Sequence, residues 1–337
     1  MVDTPFANAP LVPATNDAAP LLDVRGLSVS FGHGPAAVRL VDNVSFAVGA
    51  GERVALVGES GSGKSVTAQA LMRLNPHMQV SGVVQIGGCN LVALSDKEMT
   101  AERGASIGMV FQDPMSSLDP LMTIGDQVAE TLRLRGVSAA AARARALRVL
   151  DELRVDRAAE RLAAYPHEFS GGMRQRVVIA MALIGEPKVL IADEPTTALD
   201  VRVQERVLDL LYSVSKERGL AVLLITHDMG IVAGFADRVM VMYAGRIIEQ
   251  NDVEPLFASP RHPYTQGLLG AIPRIDQKRE QLQSIPGAPP TPFTRPPGCH
   301  FNPRCAMAME ICRKDYPAMI ETGSARVACH IHGGGHA

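Results

Sequence analysis

What this chain lacks narrows it first. It has almost no net charge: 33 Lys and Arg against 35 Asp and Glu leave −2 over 337 residues. That removes any global electrostatic case for nucleic acid. No run approaches eighteen consecutive apolar residues, so no helical bilayer span is expected. Met1 to Pro20 contain no Lys or Arg, and so lack the basic n-region of a signal peptide. Rich in Pro, Ala and Asn, they are expected to form a disordered tail over residues 1–20. The expectation is a cytosolic protein that meets a membrane only through partners. In such a reducing compartment the five cysteines argue against disulfides. What remains is a chain with 47% hydrophobic residues, enough for a sizeable core. Its length fits about two domains, or one large domain with an appendage.

The most informative stretch is Gly58-Glu59-Ser60-Gly61-Ser62-Gly63-Lys64-Ser65, which reads G-x-x-x-x-G-K-S, a phosphate-binding loop. Val54 to Val57 before it has strand character, and Val66 to Met72 after it can be helical. The glycines let the backbone wrap a polyphosphate with N–H groups turned inward. The start of the following helix adds partial positive charge. Lys64 can reach the β- and γ-phosphates, and the Ser65 hydroxyl can ligate Mg2+.

Leu21 to Phe31 and Val38 to Val48 read as an antiparallel lead-in. Phe31 is the candidate to stack on a nucleotide base, the alternative being an ordinary core Phe. Val83 to Ile86 is a further strand, and Ile107 to Val110 leads to Gln112. Asp113 to Pro120 then breaks regular structure with two prolines. Thr123 to Ala164 has helical spacing, an inserted helical block. Ser170 is a natural N-cap, and the Ser170-Gly171-Gly172 backbone can present N–H groups to an anion. Val189 to Ala192 is an apolar strand ending in two carboxylates. Asp193 is placed to hold Mg2+ opposite Ser65, and Glu194 to polarise an attacking water. Leu220 to Ile225 is a buried strand capped by Thr226-His227-Asp228, which puts His227 at the edge where doubly wound sheets bind ligands. Val239 to Glu249 reads as a hairpin.

Together these residues resemble the ATPase subunit of an ABC transporter, over roughly residues 21–255. The matching motifs, in order, are Walker A at Gly58–Ser65, the Q-loop at Gln112, the signature at Ser170–Gly172, Walker B ending at Asp193 with Glu194, the D-loop at Ala198–Asp200 and the switch His227. The implied fold is α/β, a P-loop NTPase core with an antiparallel β lead-in and a helical subdomain at about 113–184. The resemblance implies two such subunits closing head to tail on ATP and Mg2+. Gly58 to Val66 with Phe31 and Asp200 would bind ATP on one side, and Ser170, Gly171 and Gly172 on the other. It assigns Mg2+ to Ser65, Gln112 and Asp193, and catalysis to Glu194, His227 and Gln112, with Gln112 also linking to the permease. Met173 departs from the Gln usual in the signature.

Ser259 to Leu269, containing His262-Pro263-Tyr264, is similar to an element of the oligopeptide/dipeptide importer ATPases. Phe169 to Arg176 resembles their dipeptide-type D subunit. The resemblance implies a second, related ATPase, two integral permeases and an extracytoplasmic binding protein. The chain would sit peripherally on the cytoplasmic face of the inner membrane. The cargo stays open among dipeptides, longer peptides, nickel chelates, glutathione and oligosaccharides. An exporter ATPase is disfavoured by the tail. A soluble ATPase acting on nucleic acid is disfavoured by the single phosphate loop and the absence of a long heptad insertion.

Residues 256–337 form a small irregular region holding Cys299, Cys305, Cys312 and Cys329, spaced C-x5-C-x6-C-x16-C among prolines and glycines. So little core makes a metal staple a reasonable source of order. Four thiolates suit zinc or an iron–sulfur cluster. No close C-x2-4-C pair is present, which favours a 4Fe-4S cluster, and similar tails in dipeptide-importer ATPases are associated with one. Zinc and small buried hydrophobes remain the alternatives.

Overall fold

The computed structural model describes residues 19–32, 34, 37–197, 199–272 and 285–333. The expected tail lies outside them except for residues 19 and 20, and so does Ala198. The strands are β1 (Leu22–Phe31), β2 (Val38–Val48), β3 (Arg53–Val57), β4 (Met78–Ile86), β5 (Cys89–Asn90), β6 (Ile107–Val110), β7 (Val189–Asp193), β8 (Ala221–Thr226), β9 (Arg238–Tyr243), β10 (Arg246–Asp252), β11 (Ile320–Thr322) and β12 (Ala325–Val327).

Two sheets result. The smaller is antiparallel, in the order β2-β1-β4-β5, and is the lead-in that the sequence predicts. The larger runs β11-β12-β10-β9-β3-β8-β7-β6. Within it, β9, β3, β8, β7 and β6 are parallel. Every residue of β7 and β8 is buried. Strands covered on both faces cannot alternate polar and apolar residues, so both read as continuous apolar runs. Parallel strands also end at one edge. The loops after β3, β8, β7 and β6 therefore stand side by side, although the tips Val57 and Thr226 lie 226 − 57 = 169 positions apart along the chain.

The helical block between β6 and β7 includes Ile124–Leu134, Ala139–Glu152 and Gly171–Leu183. Each starts on a polar cap: the Thr123, Ser138 and Ser170 side chains accept from the N–H groups of Asp126, Ala141 and Met173. Its apolar faces meet the sheet, since Val128, Leu150, Phe169 and Val177 share one buried cluster with Val110, Leu190 and Leu224.

The C-terminal region docks on the same face of the parallel strands as the helical block, further across the sheet at β3 and β9. Tyr264 and Phe301 are buried with Ala55, Val57, Val239 and Tyr243. His262 caps the helix Pro263–Gly270 by accepting from the Tyr264 N–H at 3.0 Å. Most of residues 285–319 is irregular, as expected, but β11 and β12 extend the main sheet by pairing β12 with β10. Three-residue strands are too short to show a period in sequence. Their pairing covers an edge of β10 that would otherwise expose unpaired backbone groups.

Candidate active site

The phosphate loop closes tightly because glycine stands where nothing larger fits. A Cβ on Gly58 would lie 2.2 Å from the Met242 carbonyl oxygen. Gly63 takes φ 107° as it caps the helix Lys64–Leu71. The β9–β10 turn braces the loop, the Gly245 N–H donating to the Ser62 carbonyl at 2.7 Å. Ser60 and Gly61 are exposed, and Val66 packs partly against the core. Lys64 is buried, and its Nζ donates to the Gly58 and Glu59 carbonyls at 2.8 and 3.0 Å. Burial pushes the Lys64 pKa down, opposed by the charges of Glu194, Asp193 and Glu59. The Ser62 hydroxyl is buried without a hydrogen-bond partner, the kind of orphan that an anionic oxygen satisfies.

The neighbouring strand tips supply acids and a base. Ser65 Oγ donates to Asp193 Oδ1 at 3.1 Å. Burial raises the Asp193 pKa despite that bond. Glu194 follows with φ 47°, a left-handed conformation that costs a non-glycine residue about 1–3 kcal/mol. Three side chains hold it there. Gln112 Nε2 and Thr197 Oγ1 each donate to Oε2 at 3.0 Å, and His227 Nδ1 lies 3.0 Å from Oε1. Burial pushes the Glu194 pKa up, but the bonds from His227 and Thr197 and the charges of His227 and Lys64 outweigh it, so it lies below the usual range. An ionised carboxylate at a strand tip, with a histidine and an amide on it, can accept a proton from water.

Other expected residues lie elsewhere. Phe31 is 47% exposed and meets His77 edge to face, so it is not a core Phe. Ser170 and Gly171 are exposed, and the Ser170 hydroxyl caps its own helix. Gly172 abuts Val203, where a Cβ would come within 2.5 Å of Cγ1. Met173 packs partly against the core of the helical block. The exposed Asp200 caps the helix Val201–Arg218 by accepting from the Val203 N–H.

Thr197, Tyr264 and Arg304 touch the site without having been expected there. Tyr264 Oη accepts from the Glu59 N–H at 2.8 Å, and Arg304 pairs with the Glu59 carboxylate. Thr197, three residues after Glu194, could have been read as a local partner. Nothing local in the sequence links residue 59 to residues 264 and 304.

The expected 4Fe-4S cluster, and zinc with it, is overturned. Among the described residues no group of three or more His, Cys, Asp or Glu is placed to hold a metal ion. Cys299, Cys305, Cys312 and Cys329 do line one cavity, but its volume is about 10 Å3, room for roughly one water. Burial pushes the Cys299 thiol up to about 11, and those of Cys305 and Cys329 up as well, which disfavours the thiolate form. The segment is ordered by packing instead: Cys312 and Cys329 are buried, and Cys299 and Cys305 pack beside Phe301. The small-hydrophobe alternative describes them.

Comparison with known proteins shows the family. The ABC transporter family matches residues 41–197, and the oligopeptide/dipeptide transporter C-terminal region matches residues 248–312. The chain is 48% identical to the dipeptide transport ATP-binding protein DppD of Bacillus subtilis, over 92% of this chain and 94% of that one. It is 47% identical to the oligopeptide transport ATP-binding protein OppD of Salmonella typhimurium, over 90% and 91%. A dimeric ATP-binding cassette in a post-hydrolysis state with ADP and Pi superposes with a TM-score of 0.61 at 30% identity, covering 69% of this chain and 98% of that one. A phosphate loop, paired strand-tip acids and a C-terminal region of this type, matched along nine-tenths of the length of such relatives, place the chain in the ABC transporter family, among ATP-binding subunits of the oligopeptide/dipeptide type.

Proposed function

We propose that this chain is the ATP-hydrolysing, energy-coupling subunit of a membrane importer for di- and oligopeptides. The observation that carries the reading is the row of side chains along one sheet edge: Lys64 after β3, His227 after β8, Asp193 and Glu194 at the end of β7, and Gln112 after β6. Lys64 exchanges its two carbonyl acceptors for phosphate oxygens when ATP binds, and the Ser62 hydroxyl gains a partner. Bound Mg2+ would neutralise phosphate charge, and Ser65, Asp193 and Gln112 are the oxygen donors that such a hard cation takes. Glu194 takes a proton from the attacking water, while His227 and Gln112 hold its carboxylate in line. Phe31, exposed at the end of β1, offers a face for the adenine.

The exposed Ser170–Gly171 turn supports a second half-site, in which this turn completes the phosphate loop of a partner ATPase with Asp200 nearby. Exposed Phe111, next to Gln112, and exposed Leu121 at the end of the following loop support docking to an integral permease. No helix among the described residues is long and apolar enough to cross a membrane. In this reading the chain lies peripherally on the cytoplasmic face, with two permeases and a binding protein completing the transporter. Its catalytic domain spans 21–255, with the helical subdomain at about 113–184 and the appended region at 256–337. Glu194→Gln is the test. It keeps ATP affinity within about threefold and lowers turnover at least ~100-fold, the scale of a lost general base. Undiminished hydrolysis by that variant would overturn the role of Glu194.

A further inference from the structure

The phosphate loop is held at one residue by a segment far away in sequence. Two independent contacts converge on Glu59. Its N–H donates to Tyr264 Oη at 2.8 Å, and its carboxylate receives both ends of the Arg304 guanidinium, at 2.6 and 2.9 Å. The Arg304 side chain is 5% exposed and the Glu59 side chain 27%, so the pair is largely withdrawn from water. Arg304 is itself fixed. Its Nε donates to the Pro286 carbonyl at 2.9 Å and its Nη1 to Tyr243 Oη at 3.3 Å. The rings of Tyr243, Tyr264 and Phe301 pack within 5.4 Å of one another, behind the ion pair.

Charge gives this geometry a consequence. Glu59 is part of a loop whose ligand is a polyanion, and its negative charge is felt at Lys64. A planar guanidinium fork cancels that charge where water cannot. Without Arg304 a half-buried carboxylate would stand unpaired beside the phosphates. That would repel the nucleotide and free the start of the loop. We propose that Arg304 is a positioning residue for ATP binding, acting through Glu59: the C-terminal region neutralises and braces the phosphate loop, and so sets nucleotide affinity. This rests on the reading of Gly58–Ser65 as the ATP site.

The experiment uses the full chain and a fluorescent ATP analogue, trinitrophenyl-ATP, with Mg2+. Arg304→Met is expected to weaken binding by about tenfold, within the range of couplings between linked sites. Its kcat at saturating ATP should stay within about threefold, because Glu194 and His227 are untouched. Glu59→Gln in the Arg304→Met background removes the stranded charge and should restore affinity to within about threefold of wild type. A merely structural role predicts no such rescue. Arg304→Lys, which keeps the charge but loses the fork, is expected to fall between the two and covers the case in which Arg304→Met does not fold. Wild-type affinity in either single variant overturns the proposal. So does a folded Arg304→Met chain that Glu59→Gln fails to rescue. If Lys64→Ala binds the analogue as the wild type does, the ATP reading itself falls, and this inference with it.

Discussion

Glu194 shows most clearly how a single residue is prepared for its task. Its left-handed backbone is strained, and three side chains from three different loops hold its carboxylate. Burial alone would raise its pKa, and His227 and Thr197 more than reverse that. The sign of one prediction follows. A carboxylate base works only when ionised, so activity is lost as pH falls through its pKa. Removing His227 deletes a contribution that lowers this pKa. The acidic limb of the kcat/KM profile of His227→Ala should therefore shift to higher pH, measured on the residual ATPase rate. An unmoved or lowered limb would mean that His227 does not set the ionisation of Glu194. That Lys64, Asp193, Glu194 and His227 share one sheet edge was legible from the sequence, because each follows an apolar strand. Thr197 was not, since a threonine in a turn has many ordinary uses.

At the scale of elements, the phosphate loop is shaped by a strand it does not follow. The Met242 carbonyl of β9 leaves no room for a side chain on Gly58. Gly58→Ala must push the loop off β9 and should destabilise the protein by about 1–3 kcal/mol in urea unfolding, with a parallel loss of ATP affinity. A neutral effect on both would show that the loop does not need this contact. Strand existence was readable from continuous apolar runs such as Ala221–Thr226 and from the alternation in Leu22–Phe31. The hairpin of β11 and β12 was not, because three residues carry no period.

Across the whole molecule, the C-terminal region is a structural part of the ATPase. It adds β12 to the main sheet and buries Tyr264 and Phe301 against β3 and β9. Phe301 is 4% exposed at the centre of this contact. Phe301→Ala should cost about 3–5 kcal/mol. Limited proteolysis should then cut the C-terminal region before the parallel sheet, and the melting temperature should fall. Unchanged melting would mean that the ring is not part of the packing that joins the two. A region that looked like a metal-stapled appendage in sequence is instead held by aromatic packing, an ion pair and a shared sheet edge. Cysteine spacing reports which residues are close in the chain, but ligation needs donors aimed at one point, and spacing says nothing of that.

The sequence by itself singled out the candidate residues: a phosphate-loop motif, two strand-tip acids and a strand-end histidine, each a local pattern whose backbone and side-chain needs lie within a few residues. It also determined the parallel α/β core, because doubly buried strands must be apolar throughout. Only the tertiary structure decided which distant residues reach that chemistry. Arg304 meets Glu59 across 245 positions of chain because burial of Tyr264 and Phe301 brings the C-terminal region onto the loop. The same packing leaves four cysteines around a cavity with room for roughly one water. Such contacts are set by the summed burial of the whole chain, and no local stretch encodes them.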